Sequence, residues 1–107
     1  ADPAQAVSRA RASYARRPSI YGADALAWAL YQHGEYSEAQ RYGQLALRLG
    51  TRDAAMHYRA GMIALALNDR TSAHLHLQQA LAINPYFSVR YAEPARQKLA
   101  ELDQAAK

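Results

Sequence analysis

This 107-residue chain contains an internal repeat with a 34-residue offset, which limits the folds that are open to it. When residues 20–53 are laid over residues 54–87, few residues are identical, but matching positions share a physical property. A small residue at a fixed place in each helix lets neighbouring backbones approach closely. The repeat therefore predicts stacked pairs of helices. The matching positions include Ala27 over Gly61, Gly34 over Asn68, Ala39 over Ala73, Ala46 over Ala80 and Leu47 over Leu81.

Alanine and leucine dominate the apolar residues, and this composition favours helix over strand along the whole chain. Residues that commonly bound helices divide the chain into short segments. The expected starts are Ser37 with Gln40 in capping-box spacing, Asp53 and Thr71, and the expected ends are Pro18, Gly34, Gly50, Asn68 and Pro85. The sequence therefore predicts six helices, at about 4–17, 21–33, 37–49, 53–67, 71–83 and 94–105.

Composition also narrows the classes of function. The chain has no cysteine, which excludes disulfides, thiolate zinc sites and cysteine nucleophiles. No apolar run reaches the roughly 18 residues that span a bilayer, so we expect a soluble protein without membrane association. The first residues, Ala-Asp-Pro, would suit a cleaved export signal, so both a cytoplasmic and an exported location stay open.

A 34-residue helix-turn-helix unit with small residues at these places resembles the tetratricopeptide repeat (TPR). In the second unit, the residues that fit the family pattern are Gly61, Ala73, Leu77, Ala80 and Pro85. In the first unit, they are Leu26, Ala27, Leu30, Gly34, Tyr36, Ala39 and Ala46. Three positions depart from the pattern: Gly43 replaces a large residue, Thr51 a proline and Ala64 an aromatic residue.

The resemblance implies an all-α, TPR-like right-handed superhelix of about six helices, in a single domain spanning residues 1–107. Its parts would be a flanking helix at 4–19, repeats at 20–53 and 54–87, and a C-terminal capping helix at 88–107. A plain helical bundle with coincidental spacing is the alternative. The residues expected to serve packing are Ala27, Ala39, Ala46, Gly61, Ala73, Ala80 and Pro85.

The resemblance also implies that the first helices of successive repeats line a concave groove for a peptide or a partner protein. Unburied aromatic side chains usually mark such an interaction surface. We therefore expect a non-catalytic protein–protein interaction module. Two other interpretations stay open: the rings can fill the core, or a second copy can cover them in a homodimer that serves as a scaffold element. The expected peptide-binding residues are Tyr21, Asp24, Trp28, Tyr31, Gln32, Tyr58, Met62 and Leu65.

Catalysis, cofactors and bound metal are not expected. The histidines are His33, His57, His74 and His76. His74 and His76 are two residues apart and cannot share one helix face, and no other pair has the spacing of a metal site. The sequence also lacks a Gly-rich phosphate loop and a nucleophile elbow. The histidines are therefore interpreted as solvated or edge residues.

A nucleic-acid partner is a second alternative that the sequence disfavours. The net charge is +4, and four arginines crowd the first helix: Arg9, Arg11, Arg16 and Arg17. These cations could hold phosphates. They lie at one end of the chain and on several helix faces, however, whereas the expected groove lacks Lys and Arg along its length. A solvated terminal helix is therefore the preferred interpretation.

Overall fold

The computed structural model describes residues 2–48, 53–86 and 92–105. Within these ranges the chain is all-α, with six helices and no strand, which confirms the predicted all-α class and the predicted number of helices. None of the described helices is both long and apolar enough to cross a membrane. The helices are α1 (Pro3–Arg16), α2 (Ile20–Gln32), α3 (Tyr36–Leu47), α4 (Ala54–Ala66), α5 (Arg70–Ile83) and α6 (Ala92–Ala105).

The chain divides into two compact units, residues 1–51 and residues 52–107. In the first unit, α1 packs on α2 and α2 packs on α3. In the second unit, α4 packs on α5 and α5 packs on α6. Each unit therefore contains one helical hairpin, α2–α3 or α4–α5, together with one flanking helix. The turn predicted at Gly50 lies outside the described residues.

The first hairpin turns at Gly34, whose φ of +84° is left-handed as predicted. Two hydrogen bonds close the turn: the Gly34 N–H donates to the Tyr31 carbonyl at 3.0 Å, and the Glu35 N–H donates to the Leu30 carbonyl at 2.9 Å. This pair of bonds is the Schellman motif, which satisfies carbonyls that the end of a helix leaves unpaired. The turn is therefore fixed by backbone bonding.

The second hairpin repeats this turn 34 residues later. Asn68 has a φ of +63° and also confirms the predicted left-handed position. Its N–H donates to the Leu65 carbonyl at 3.0 Å, and the Asp69 N–H donates to the Ala64 carbonyl at 2.9 Å. The 34-residue offset read from the sequence is thus present in the backbone geometry of both turns.

The helix starts are only partly as predicted. Asp53 caps α4, since its carboxylate accepts from the amide three residues on at 3.2 Å. Ser37 and Thr71 do not cap α3 and α5, and those predictions are wrong. Each Schellman turn ends at Glu35 or Asp69, and the next helix begins at once, so Ser37 and Thr71 already lie inside the helix.

Small residues are buried in both hairpins, and Gly61 lies where α4 meets α5. An ideal Cβ placed on Gly61 would lie 2.9 Å from the Leu77 Cγ, so α4 and α5 come together too closely there for a larger residue. Pro85 is exposed and does not share in this packing. The buried small residues include Ala27, Ala39 and Ala46 in the first unit and Gly61, Ala73 and Ala80 in the second.

Candidate functional site

Three aromatic rings form a cluster where α2 ends and α3 begins. Trp28 and Tyr31 stack on each other, with ring centroids 4.6 Å apart and planes inclined by 10°. Tyr36, the first residue of α3, lies 5.7 Å from Tyr31 at an angle of 51°. We call Trp28, Tyr31 and Tyr36 the aromatic cluster.

Local structure accounts for this arrangement. Trp28 and Tyr31 are three residues apart on one helix, a spacing that makes side chains neighbours. The turn at Gly34 then reverses the chain within a few residues and brings Tyr36 beside Tyr31. Because helix and turn are both held by backbone hydrogen bonds, the rings stand on a rigid base.

The cluster is accessible but not fully exposed. Tyr36 is 38 % exposed, and Trp28 and Tyr31 are half-buried. Burial raises the pKa of Tyr31, and the neighbouring Tyr36 raises it further. The Tyr31 hydroxyl therefore stays protonated at neutral pH and can donate a hydrogen bond.

Two further residues of the predicted set are also exposed on α2. Tyr21 is 67 % exposed and lies seven residues before Trp28, which places the two on the same side of the helix. Gln32, the last residue of α2, is exposed as well. The first unit therefore presents Tyr21 and Gln32 on the helix that carries two rings of the cluster.

Asp24 and Tyr58 are buried, contrary to the expectation that they line an open surface. Their exposed fractions are only 8 % and 6 %. Asp24 lies on α2, which packs against both α1 and α3. Two neighbouring helices cover more of the surface of α2 than its single stripe of small residues indicates. Tyr58 lies on α4, where Ala66 is the one residue that is exposed. Met62 and Leu65, also on α4, are half-buried.

Two contacts join α1 to α3. Arg11 donates to Glu38 at 2.6 Å, and this hydrogen bond lowers the pKa of Glu38. Tyr14 meets Tyr42 edge-on at 5.7 Å. One of the four arginines of the basic terminal segment, Arg11, is therefore engaged in an ion pair within the unit. All four are exposed: Arg9, Arg11, Arg16 and Arg17.

Two histidines from different helices lie side by side in the second unit, a pairing that spacing along one helix could not predict. The Nδ1 atoms of His57 on α4 and His76 on α5 lie 3.3 Å apart, at hydrogen-bonding distance. Burial lowers the pKa of His76 and His57 lowers it further, while Asp69 opposes the shift. The sequence did contain a signal for this pairing. In an antiparallel hairpin that turns at Asn68, a residue on α4 faces a residue on α5 that is a similar number of positions from the turn.

A separate contact in the second unit joins α5 to α6. The Nε2 atom of His74 lies 2.6 Å from the Oδ1 atom of Asp103. His74 therefore points to a different partner from His76, which agrees with the inference that the two cannot share one helix face. Among the described residues, no group of three or more His, Cys, Asp or Glu side chains lies close enough to hold a metal ion.

No protein-family model matches the chain, and no curated protein matches it.

Proposed function

We propose that the chain is a non-catalytic, TPR-like module that binds a peptide or a partner protein through the aromatic cluster. The observation that carries the proposal is the cluster itself: two stacked rings and a third beside them, partly open to solvent and fixed on a hairpin. The binding surface includes Tyr21 and Gln32, the exposed residues of the same helix. Asp24 and Tyr58 are left out of it because both are buried.

Side chains that are already ordered lose little entropy when a partner binds. A flexible side chain loses about 0.5–1.5 kcal/mol of rotamer entropy when a partner immobilises it. Trp28 and Tyr31 are already stacked, and such an aromatic pair is stabilised by about 0.5–1.5 kcal/mol beyond its buried area. Little further ordering is then needed on binding. The cluster suits an apolar or aromatic side chain of the partner, with the Tyr31 and Tyr36 hydroxyls available for its backbone.

The TPR resemblance supports the same location. In that family, the first helix of each repeat lines the groove, and α2 holds that place in the first repeat. The Schellman turns at Gly34 and Asn68, 34 residues apart, agree with the family's repeat length. Membership of the family remains part of the proposal.

Trp28 offers a direct test because it is the only tryptophan in the chain. Peptides selected from a random display library on the wild-type protein are synthesised and titrated, and the fluorescence of Trp28 is followed. We expect saturable quenching or a spectral shift. Tyr31→Ala and Tyr36→Ala should each lower the affinity at least tenfold, about 1.4 kcal/mol, as expected for anchor residues.

Trp28→Ala is assayed with a labelled peptide, and circular dichroism checks that the helices remain. Tyr86→Ala is the matched control, since Tyr86 is 79 % exposed and lies in the second unit. It should leave the affinity unchanged. The proposal fails if the selected peptides bind all four variants equally well. If Trp28→Ala instead unfolds the chain, the ring serves the core rather than a partner.

A further inference from the structure

The geometry points to a second site in this protein: His57 and His76 form a two-histidine chelate for a late first-row transition-metal ion such as Zn²⁺. The two residues come from adjacent helices of the second unit and lie 19 positions apart in sequence. A bound ion would join α4 to α5. This inference is independent of the proposed peptide-binding function, which concerns the first unit.

The distance between the two nitrogens carries the argument. Histidine nitrogens bind Zn²⁺ at about 2.0–2.1 Å, and two of them at tetrahedral positions lie about 3.3–3.4 Å apart. The Nδ1 atoms of His57 and His76 are 3.3 Å apart. Their ring centroids lie 5.5 Å apart and their planes are inclined by 32°. The nitrogens therefore already have the spacing of a ligand pair, and a modest rotation of the rings lets both face one ion.

Without metal, the two rings share one hydrogen bond, in which one Nδ1 donates and the other accepts. Metal binding requires the donor ring to change its tautomer: its Nδ1 loses the proton to solvent and its Nε2 takes one up. Both neutral rings then present an Nδ1 lone pair to the ion. Both side chains are half-buried, so neither is sealed from solvent. Little rearrangement of the helices is needed, because the pair is preassembled across the hairpin.

A negative charge lies near the pair. The carboxylate of Asp69 acts electrostatically on His76. Such a carboxylate also attracts a divalent cation, whose charge two neutral imidazoles do not offset.

The ligand type indicates the class of metal. Imidazole suits Zn²⁺, Ni²⁺ and Cu²⁺, whereas Mg²⁺ and Ca²⁺ prefer oxygen ligands. Because no third His, Cys, Asp or Glu joins the pair among the described residues, water completes the coordination shell. Such a site holds metal exchangeably and stabilises the α4–α5 hairpin when it is occupied.

The test is a calorimetric titration of the full chain with Zn²⁺, with Mg²⁺ as the comparison ion. We expect the wild type to bind one Zn²⁺ saturably and to melt at a higher temperature with it. His57→Gln and His76→Gln should each weaken Zn²⁺ binding at least tenfold and remove the rise in melting temperature. His33→Gln, at an exposed position in the first unit, and His74→Gln on α5 should bind Zn²⁺ as the wild type does.

A second measurement needs no variant. Zn²⁺ should shift the imidazole ¹⁵N resonances of His57 and His76 in the wild-type protein and leave those of His33 in place. The inference is overturned if the wild type shows no saturable Zn²⁺ binding, or if His57→Gln and His76→Gln bind Zn²⁺ as tightly as His33→Gln. The pair would then be a structural hydrogen bond between α4 and α5.

Discussion

Gly61 sets the distance between two helices through the side chain that it lacks. An ideal Cβ at this position would lie 2.9 Å from the Leu77 Cγ and 3.0 Å from its Cδ2. Leu77 is completely buried, so its displacement would disturb the side chains that enclose it. We therefore predict that Gly61→Leu lowers the free energy of unfolding by about 1–3 kcal/mol, the usual effect of overpacking, in urea denaturation.

Ala66→Leu is the matched control for this substitution. Ala66 lies on the same helix and is exposed, so an added leucine there meets no buried neighbour. Its effect should stay within about 0.5 kcal/mol, as for most surface substitutions. If both variants lose the same stability, the loss comes from placing leucine on α4 at all and not from overpacking against Leu77. If Gly61→Leu leaves the free energy of unfolding unchanged, α4 and α5 can move apart without loss of stability.

Single positions were predictable where the backbone alone decides them. Gly34 and Asn68 were correctly predicted because reversal of a helical chain requires a left-handed residue whatever surrounds it. Ser37 and Thr71 were assigned as caps from residue type, although the turn ends before them. Burial of Asp24 was not predictable, since it depends on how many helices cover α2.

All six described helices could be predicted, with ends within two residues of the observed ones. Their Ala- and Leu-rich segments lie between strong breaking signals, and each helix is therefore determined locally. The candidate site was predictable only in part. Trp28 and Tyr31 are related by helical spacing, whereas Tyr36 joins them through the turn. The pairing of His57 with His76 depends on packing between two helices.

The contact between Arg11 and Glu38 links α1 to α3 and gives a pH-dependent prediction. The pKa of Glu38 is lowered from 4.5 by the hydrogen bond from Arg11, so its carboxylate is favoured in the folded state. The stabilisation is therefore present above about pH 4.5 and is lost as the pH falls through the lower folded-state value. We predict that Arg11→Gln lowers stability by less than about 1 kcal/mol at pH 7 and has no effect at the acid end.

Urea denaturation as a function of pH measures this difference. Arg9→Gln is the control, because Arg9 is an exposed arginine on the same helix and its substitution makes the same change in net charge. It should show no comparable loss between neutral and acid pH. High salt should reduce the effect of Arg11→Gln, since exposed ion pairs are screened. A loss that persists at the lowest pH would contradict an origin in this ion pair.

The area of the aromatic cluster distinguishes a peptide from a second copy of the chain as its partner. A fully exposed aromatic side chain loses about 150–250 Å² of accessible surface when a partner covers it. Trp28 and Tyr31 are half-buried, so the three rings together offer much less than the roughly 800 Å² per partner of a stable protein interface. The cluster alone is therefore too small to hold a permanent dimer, whereas it can anchor one or two side chains of a peptide.

We accordingly predict a monomer of 11.9 kDa by light scattering at concentrations up to about 100 μM, where only a weak self-association would escape detection. Tyr36→Ala should be a monomer like the wild type, because Tyr36 is expected to contact a peptide and not a second copy of the chain. A wild-type dimer that Tyr36→Ala and Trp28→Ala both dissociate would assign the cluster to self-association and overturn the peptide-binding proposal. If neither substitution affects the dimer, the chain self-associates through another surface. That result would contradict the predicted monomer but not the peptide-binding proposal.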